Sequence, residues 1–279
     1  MGRLHDDEAA TADLNDVNMI DPFHLEAYGE TTINYNRDVE IFPVLNAMFE
    51  QILGESPYKS PTDMGVNMVG NCIVDDEACR EASKQEIIRR YYQGLCDCKR
   101  GVGSKETLYK LELIMKQAGL SVENREVVNA ALQREEATGH PAMAIQLDDG
   151  TLITGKTTDL LGAASAALLN AIKSLGGIDH ELHLVSPKAI EPIQRLKTDY
   201  LGSRNPRLHS DEILIALSTS AASDVNADLA MKQIPKLKGL EAHSSVLLSS
   251  VDEQMFKRLG LHLTCEAKYE TENRVYHKR

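Results

Sequence analysis

Residues Pro141–Gly177, PAMAIQLDDGTLITGKTTDLLGAASAALLNAIKSLGG, decide how the rest of the chain is read. Ala142–Leu147 and Thr151–Gly155 are short apolar or β-branched runs, and Asp149-Gly150 lies between them. Asp-Gly between two such runs predicts a β-hairpin, because glycine takes the positive φ that a type I′ turn requires. After Lys156, Thr157 or Thr158 is suited to cap a helix, with Asp159 in the first turn favouring the dipole. Leu160, Leu161, Ala164, Ala167, Leu168 and Ile172 then recur at helical spacing up to Gly176-Gly177.

Residues 150–157, GTLITGKT, also fit the phosphate-loop pattern G-x-x-x-x-G-K-[ST]. In a genuine phosphate loop the four residues between the glycines wrap an anion with their N–H groups. Here they are Thr-Leu-Ile-Thr, which suits a strand, and Asp148-Asp149 would bring two negative charges to a polyanion. The hairpin is therefore the expectation. Lys156 is kept as a candidate anion ligand at a helix N-terminus.

The chain of 279 residues is long enough for one large domain or two ordinary ones, and its 42% hydrophobic and 26% charged content is that of a globular protein. A net charge of -12 argues against nucleic acid and against an anionic membrane as partners, both of which favour a basic face. No apolar run is of membrane-spanning length, and the acidic opening MGRLHDDEAATADLND is unlike a secretory signal. A cytoplasmic protein is expected. The five cysteines (Cys72, Cys79, Cys96, Cys98 and Cys265) lack a zinc-binding spacing, so reduced thiols and no metal site are expected.

Residues 1–30 carry no periodic pattern and read as an N-terminal remnant that needs a partner surface. Residues 31–138 read as a mainly helical domain. Its first helix, Arg37–Leu53, carries Val39, Phe42, Leu45, Met48, Phe49 and Leu53 on one face, with Pro43 near its first turn. The polar cluster Asn34–Asp38 at its start, which includes Asn36 and Arg37, is either a helix entry capped by Asp38 or Asn36 or a ligand contact. The loop Ser56–Met68 is restrained by prolines and crowded with Tyr58, Lys59, Ser60, Thr62, Asp63 and Asn67. It is a ligand-binding candidate or a surface connection. A helix over 78–95 carries Arg89-Arg90, a phosphate or carboxylate grip if the two arginines are not simply solvated. Helices over 105–119 and 123–136 follow, with a boundary at Ala137–Pro141.

Residues 139–279 read as an α/β domain. Beyond the hairpin and its helix come a strand at Glu181–Val185, a helix at Ala189–Tyr200 and a donor-rich loop with Ser203, Arg204, Asn205 and Arg207. Helices over 211–222 and 226–237, a strand at His243–Leu248, a helix over 252–259 and a strand at Leu261–Thr264 complete the order. The overall class is α/β, or α+β for the whole chain, with a mixed sheet covered by helices on its faces.

The blocks YNRDVEIFPVLNAMFE, SPYKSPTDMGVNM, QEIIRRYY, DDGTLITGKTTDLLGAASAALLNAIK, EPIQRLKTDYLGSRNPRL and EAHSSVLLS resemble the uncharacterised bacterial family named for domain of unknown function 1846, over residues 9–268. The resemblance implies members roughly twice this length, with a Rossmann-like N-terminal half whose glycine-rich, lysine-containing loop binds phosphate. Nothing equivalent stands in this chain, so it is expected to match the C-terminal half, as a truncated or split form. The resemblance further implies a cytidine-deaminase-like topology for residues 139–279. Zinc chemistry is not implied, because Thr157–Ala163 and Ser186-Pro187-Lys188 lack the ligands that a deaminase needs.

Three functions follow as expectations. The chain is the substrate-side half of a nucleotide-dependent enzyme, with Lys59, Asp63, Asn67, Arg204, Asn205 and Arg207 binding a small anionic or nucleotide ligand. ATP and Mg2+ then belong to the full-length family, and no cofactor belongs to this chain. Alternatively it is a ligand-binding or assembly module, as a homo-oligomer or in contact with the missing N-terminal domain. As a third possibility it is a fragment without activity.

Overall fold

The computed structural model describes residues 36–56, 76–117 and 119–270. The chain divides into two compact units, residues 1–124 and 125–279. The first, among its described residues, is helical: α1 (Asn36–Leu53), α2 (Asp76–Arg100), α3 (Lys105–Gln117) and a 3-10 turn at Val122–Asn124. Ile87, Ile88, Tyr92 and Cys96 of α2 and Leu111, Ile114 and Met115 of α3 are buried, and α3 packs on both α1 and α2. Pro43 stands two turns into α1 rather than in its first turn.

The second unit is α+β. Its sheet has the order β2-β1-β3-β4, built from β1 (Ala142–Gln146), β2 (Leu152–Lys156), β3 (Glu241–Ser244) and β4 (His262–Cys265). β1 is antiparallel to both β2 and β3, while β3 and β4 are parallel. Helix α4 (Glu126–Thr138) packs on β1, β2 and β3, and α5 (Ala163–Leu175) packs on β1 and β2. Side chains alternate across a strand, so Ala144 joins Val127 and Ala131 of α4 while Met143 and Ile145 join Ala164, Leu168 and Ile172 of α5. That two-sided cover is why β1 reads as an unbroken apolar run. Helices α6 (Pro187–Arg195), α7 (Ser210–Ala221), α8 (Val225–Met231) and α9 (Ser250–Arg258) complete the unit. Because α4 lies against the sheet, the division falls at Asn124 and Arg125, ahead of the expected 137–141 boundary.

The hairpin forms as expected, with Ala142 opposite Lys156 and Gln146 opposite Leu152, so residues 150–157 are turn and strand and not a phosphate loop. Its turn differs from the expected type I′. Only Gly150 has a positive φ, at 83°, while Gly150 N–H donates to Leu147 O at 2.9 Å and Leu147 N–H to Thr151 O at 2.9 Å. That is the longer hairpin loop, a right-handed turn closed by one left-handed glycine.

Three further expectations are corrected. Neither Thr157 nor Thr158 caps α5, which starts at Ala163 behind Gly162. Thr158 instead closes a local turn, accepting from Leu161 N–H at 3.1 Å, and Leu161 then bridges to Leu208. Glu181–Val185 is not a strand: Asp179 accepts from Glu181 N–H at 2.9 Å and from Leu182 N–H at 3.1 Å, turning the chain while Leu184 and Val185 enter the core. With β1 already paired on both sides, no place beside it remains. The strand expected at His243–Leu248 begins earlier and ends at Ser244, where Ser244 Oγ donates to Val246 O at 2.8 Å and bends the chain away.

Arg125, only 1% exposed, joins the start of α4 to the β3–β4 pair. Its Nε donates to Thr264 Oγ1 at 3.0 Å, its Nη2 to Ala242 O at 3.1 Å and His262 O at 2.8 Å, and its Nη1 pairs with Glu241. Burying a guanidinium is tolerated only with such compensation. No helix among the described residues is long and apolar enough to cross a membrane.

Gly155 faces α5 so closely that an added Cβ would stand 2.2 Å from Ala167 N. Gly155→Ala is expected to cost about 3 kcal/mol, by forcing β2 and α5 apart. Truncation of Arg125 to Ala is expected to cost about 3–5 kcal/mol, because it strands a carboxylate and two carbonyls. Urea unfolding of the two variants beside Gly150→Ala, a surface change in the same hairpin expected to cost only about 1–2 kcal/mol, checks both values.

Candidate functional site

The site is built from helix ends at one edge of the sheet. The register places Lys156 of β2, Ser244 of β3 and Cys265 of β4 at the same edge, so three strands end there. In sheets covered by helices, ligands settle outside the carboxyl ends of the strands. From β3 the chain turns through Ser245–Leu248 to α9, which Ser249 caps by accepting from Asp252 N–H at 3.2 Å.

Asp252, in the first turn of α9, is 7% exposed and points to the start of α7. Its Oδ1 accepts from Ser210 N–H at 2.8 Å and from Ser210 Oγ at 2.7 Å. Its Oδ2 accepts from Ser249 Oγ at 2.7 Å and lies 2.8 Å from His209 Nδ1. Burial pushes the Asp252 carboxyl up, but the hydrogen bond and charge of His209, with the two Ser210 donors, carry it below its ordinary value. The bond to Asp252, and then its charge, raise His209 above its ordinary value against the opposing effect of burial; the smaller effects of Lys197, which lowers it, and Glu212, which raises it, oppose each other.

Around this dyad, His209 N–H donates to Glu212 Oε2 at 2.8 Å. The same oxygen accepts from Lys197 Nζ at 2.6 Å, and Lys197 also donates to Arg207 O at 2.6 Å. Lys197 lies in one π-helical turn, Leu196–Tyr200, that continues α6. The donor-rich loop is therefore fastened to the base of the dyad. Among the described residues nothing is bonded to Nε2 of His209, whose ring is fixed through Nδ1. A carboxylate that orients one ring nitrogen and leaves the other available is the arrangement of an acid–base histidine.

The sequence candidates divide. Ser203, Arg204, Asn205 and Arg207 form the loop that ends two residues before His209, with Arg207 O bound by Lys197. Ser203 Oγ and the backbone of Asn205 exchange bonds at 3.1 and 3.2 Å, Arg207 is paired with Glu270 at 2.6 Å, and Arg204 is exposed. Lys156 reaches the same sheet edge, but as the last residue of β2 and not at a helix N-terminus. Asn36 and Arg37 open α1, in the other unit. Lys59, Ser60, Asp63 and Asn67 lie outside the described residues. Arg89 and Arg90 are neither solvated nor directed at a ligand through Nε: each donates Nε to buried Glu86, at 2.8 Å. No group of three His, Cys, Asp or Glu among the described residues is placed to hold a metal ion. His209 and Asp252 were not singled out in the sequence. Each looked like an ordinary helix start, and they meet across 43 residues.

Family models for domain of unknown function DUF1846 match both parts of the chain, the N-terminal one over residues 5–119 and the C-terminal one over residues 123–276. The chain belongs to the DUF1846 family. The expectation that it corresponds to the C-terminal half alone, with residues 1–30 a remnant, is overturned by the match at 5–119. A UPF0371 protein of Corynebacterium urealyticum is 56% identical over 272 residues, which are 98% of this chain and 54% of that protein. A second from Corynebacterium efficiens is 56% identical over 272 residues, 98% of this chain and 55% of its own. One from Streptococcus thermophilus is 56% identical over 271 residues, 97% of this chain and 55% of its own. The chain spans about half the length of the curated relatives it matches.

His209→Asn keeps a donor at the Nδ1 position and removes the titratable ring. A histidine whose pKa is raised on folding contributes stability that is complete below its ordinary value of 6.5 and fades as pH rises through the folded value. The variant is therefore expected to be less stable than the wild type by on the order of 1 kcal/mol at about pH 5.5, with the gap closing by about pH 8.5. Paired thermal melts across that range check the sign. Asp252 gives the opposite limb: its contribution is present above its ordinary value of 3.8 and is lost in stronger acid as pH falls through its lowered value.

Proposed function

We propose that the α/β unit carries the substrate side of an enzyme that acts on a small anionic or nucleotide-type ligand, with His209 as its acid–base group. The dyad carries this assignment: Nδ1 of His209 is held 2.8 Å from a buried carboxylate while Nε2 has no bond among the described residues. Ser203, Arg204, Asn205 and Arg207 supply donors in the loop that leads to it, and Lys156 adds a positive charge at the same sheet edge. Asp252 is the positioning residue. ATP and Mg2+ are what the family resemblance attaches to longer members; among the described residues no group of three His, Cys, Asp or Glu is placed to hold the cation. The hairpin followed by α5 and the parallel β3–β4 pair support a cytidine-deaminase-like topology without the strand after α5. Cys96, Cys98 and Cys265, which are in no disulfide, together with the acidic composition, support a cytoplasmic protein.

An assembly module is the second assignment, favoured by one observation. The bonds that Asp252 accepts from His209 and Ser210 also join the starts of α7 and α9, and the one from Ser249 lies within the start of α9, an arrangement that also serves helix ends alone. Thermal melts of the chain with millimolar ATP, Mg2+ and a nucleoside panel separate the two. A ligand at about 100 times its Kd raises stability by roughly 2.7 kcal/mol. His209→Asn is expected to keep the melt shift and lower consumption of that ligand at least roughly 100-fold. Consumption at the wild-type rate in the variant would remove the catalytic role and leave the assembly module.

A further inference from the structure

His243 of β3 is a titratable side chain with no exposed surface. It lies on the α4 side of the sheet, opposite Ala144 across β1 and Thr264 across β4. Its Nδ1 is 2.9 Å from Thr264 Oγ1 and its Nε2 is 3.4 Å from Glu266 Oε1. Further charges come from each element around it. Arg125, at the start of α4, donates Nε to the same Thr264 oxygen at 3.0 Å and pairs with Glu241 of β3. Lys268, beyond β4, pairs with Glu135 of α4 at 2.7 Å. Burial pushes the His243 pKa down, the bond and charge of Glu266 push it up, and the charges of Arg125 and Lys268 push it down again.

These bonds dictate the tautomer of the ring. A guanidinium only donates, so Thr264 Oγ1 accepts from Arg125 and has one proton of its own to give. Nδ1 of His243 at 2.9 Å is a closer acceptor for that proton than Ala242 O at 3.3 Å. Neutral His243 therefore accepts at Nδ1 and carries its proton on Nε2, toward the Glu266 carboxylate. A second proton reverses this wiring. The new Nδ1–H must donate to the oxygen that already receives Arg125, and the Thr264 proton must turn to Ala242 O, where Arg125 Nη2 already donates at 3.1 Å. Two buried cations then share one hydroxyl, an arrangement that costs the docked state heavily. The α4 side is also the thinly packed one. Its buried cluster is Val127, Ala131 and Ala144, whereas the large core lies on the α5 side, and regions with few buried apolar contacts open first.

We infer that His243 is an acid-sensitive latch: neutral, it completes the hydroxyl network that docks Arg125 and α4 on β3 and β4, and protonated, it releases them while the α5 side of the sheet stays closed. The latch is independent of any role of His209. A histidine whose pKa is lowered on folding takes up its proton more readily in the open state. The docked state is therefore fully favoured above the ordinary value of 6.5 and loses ground as pH falls below it, until the folded value is reached. Hydrogen exchange of the full chain between about pH 7 and 5, where carboxylates stay ionised, tests this once each amide is corrected for its intrinsic rate. The opening constants of Val128 and Ala131 in α4 are expected to rise below 6.5 by up to about tenfold per pH unit, the limit for uptake of one proton, while those of Leu168 and Ile172 in α5 stay level. Glu266→Gln, at a partly exposed position, removes the charge that favours the protonated ring in the docked state and should enlarge the rise. His243→Asn keeps an acceptor for Thr264 with nothing to titrate, so its α4 opening should not vary with pH; if that variant fails to fold, Glu266→Gln decides. An α4 opening that is level with pH in the wild type, an equal rise in α5, or a Glu266→Gln profile like that of the wild type overturns the latch. So does a neutral ring that nitrogen NMR finds protonated on Nδ1.

Discussion

The second unit depends on a buried charge. Arg125 is the last residue before α4, and its guanidinium reaches acceptors on β3 and β4 that follow it by 116–139 residues in the chain. An uncompensated guanidinium at that depth would be prohibitive, so α4 cannot dock until β3 and β4 lie side by side to offer Glu241, Ala242 O, His262 O and Thr264. Thr264 Oγ1 also lies 2.9 Å from Nδ1 of buried His243, whose pKa burial pushes down despite Glu266 nearby. The parallel pair, the weakest in local encoding, is thereby tied to a helix that precedes the whole sheet.

On the opposite face the constraint is steric. Gly155 lets β2 lie against the backbone of α5, and the alanines of α5 (Ala163, Ala164, Ala167 and Ala171) keep the approach close. A close helix–strand contact fixes the register of the hairpin, because a slip by one residue would bring Thr154 or Lys156 against Ala167. The two ends of β2 then have fixed positions, and Lys156 arrives at the sheet edge where β3 and β4 end.

Local chemistry was legible and long-range pairing was not. The hairpin could be read because both strands and the turn glycine sit within 15 residues, from Ala142 to Lys156. The start of α5 was misread because Thr158 has a competing use in a turn, and that turn is held by Leu208, far along the chain. Glu181–Val185 has strand-forming residues, but β1 already has a neighbour on each side. The loop at 203–207 stood out by its density of donors. The dyad did not, since a histidine before Ser-Asp and an aspartate after Ser-Ser-Val are what ordinary helix starts look like. Only the fold places the two helix starts together.

Helix capping and acid–base chemistry are compatible in this cluster because they need the same thing from Asp252. To stay ionised at 7% exposure the carboxylate must collect donors, and the free N–H at the start of α7 is one that a helix end always offers. Once Ser210 and Ser249 occupy the remaining lone pairs, the histidine ring is held by Nδ1 and cannot turn to offer it elsewhere. The same bond raises the His209 pKa above its ordinary value, against the opposing effect of burial. A histidine held this way offers one ring nitrogen, Nε2, for proton exchange with a bound group. Lys197, bound to Glu212, lowers His209 at least as much as Glu212 raises it, so the raised pKa rests on Asp252.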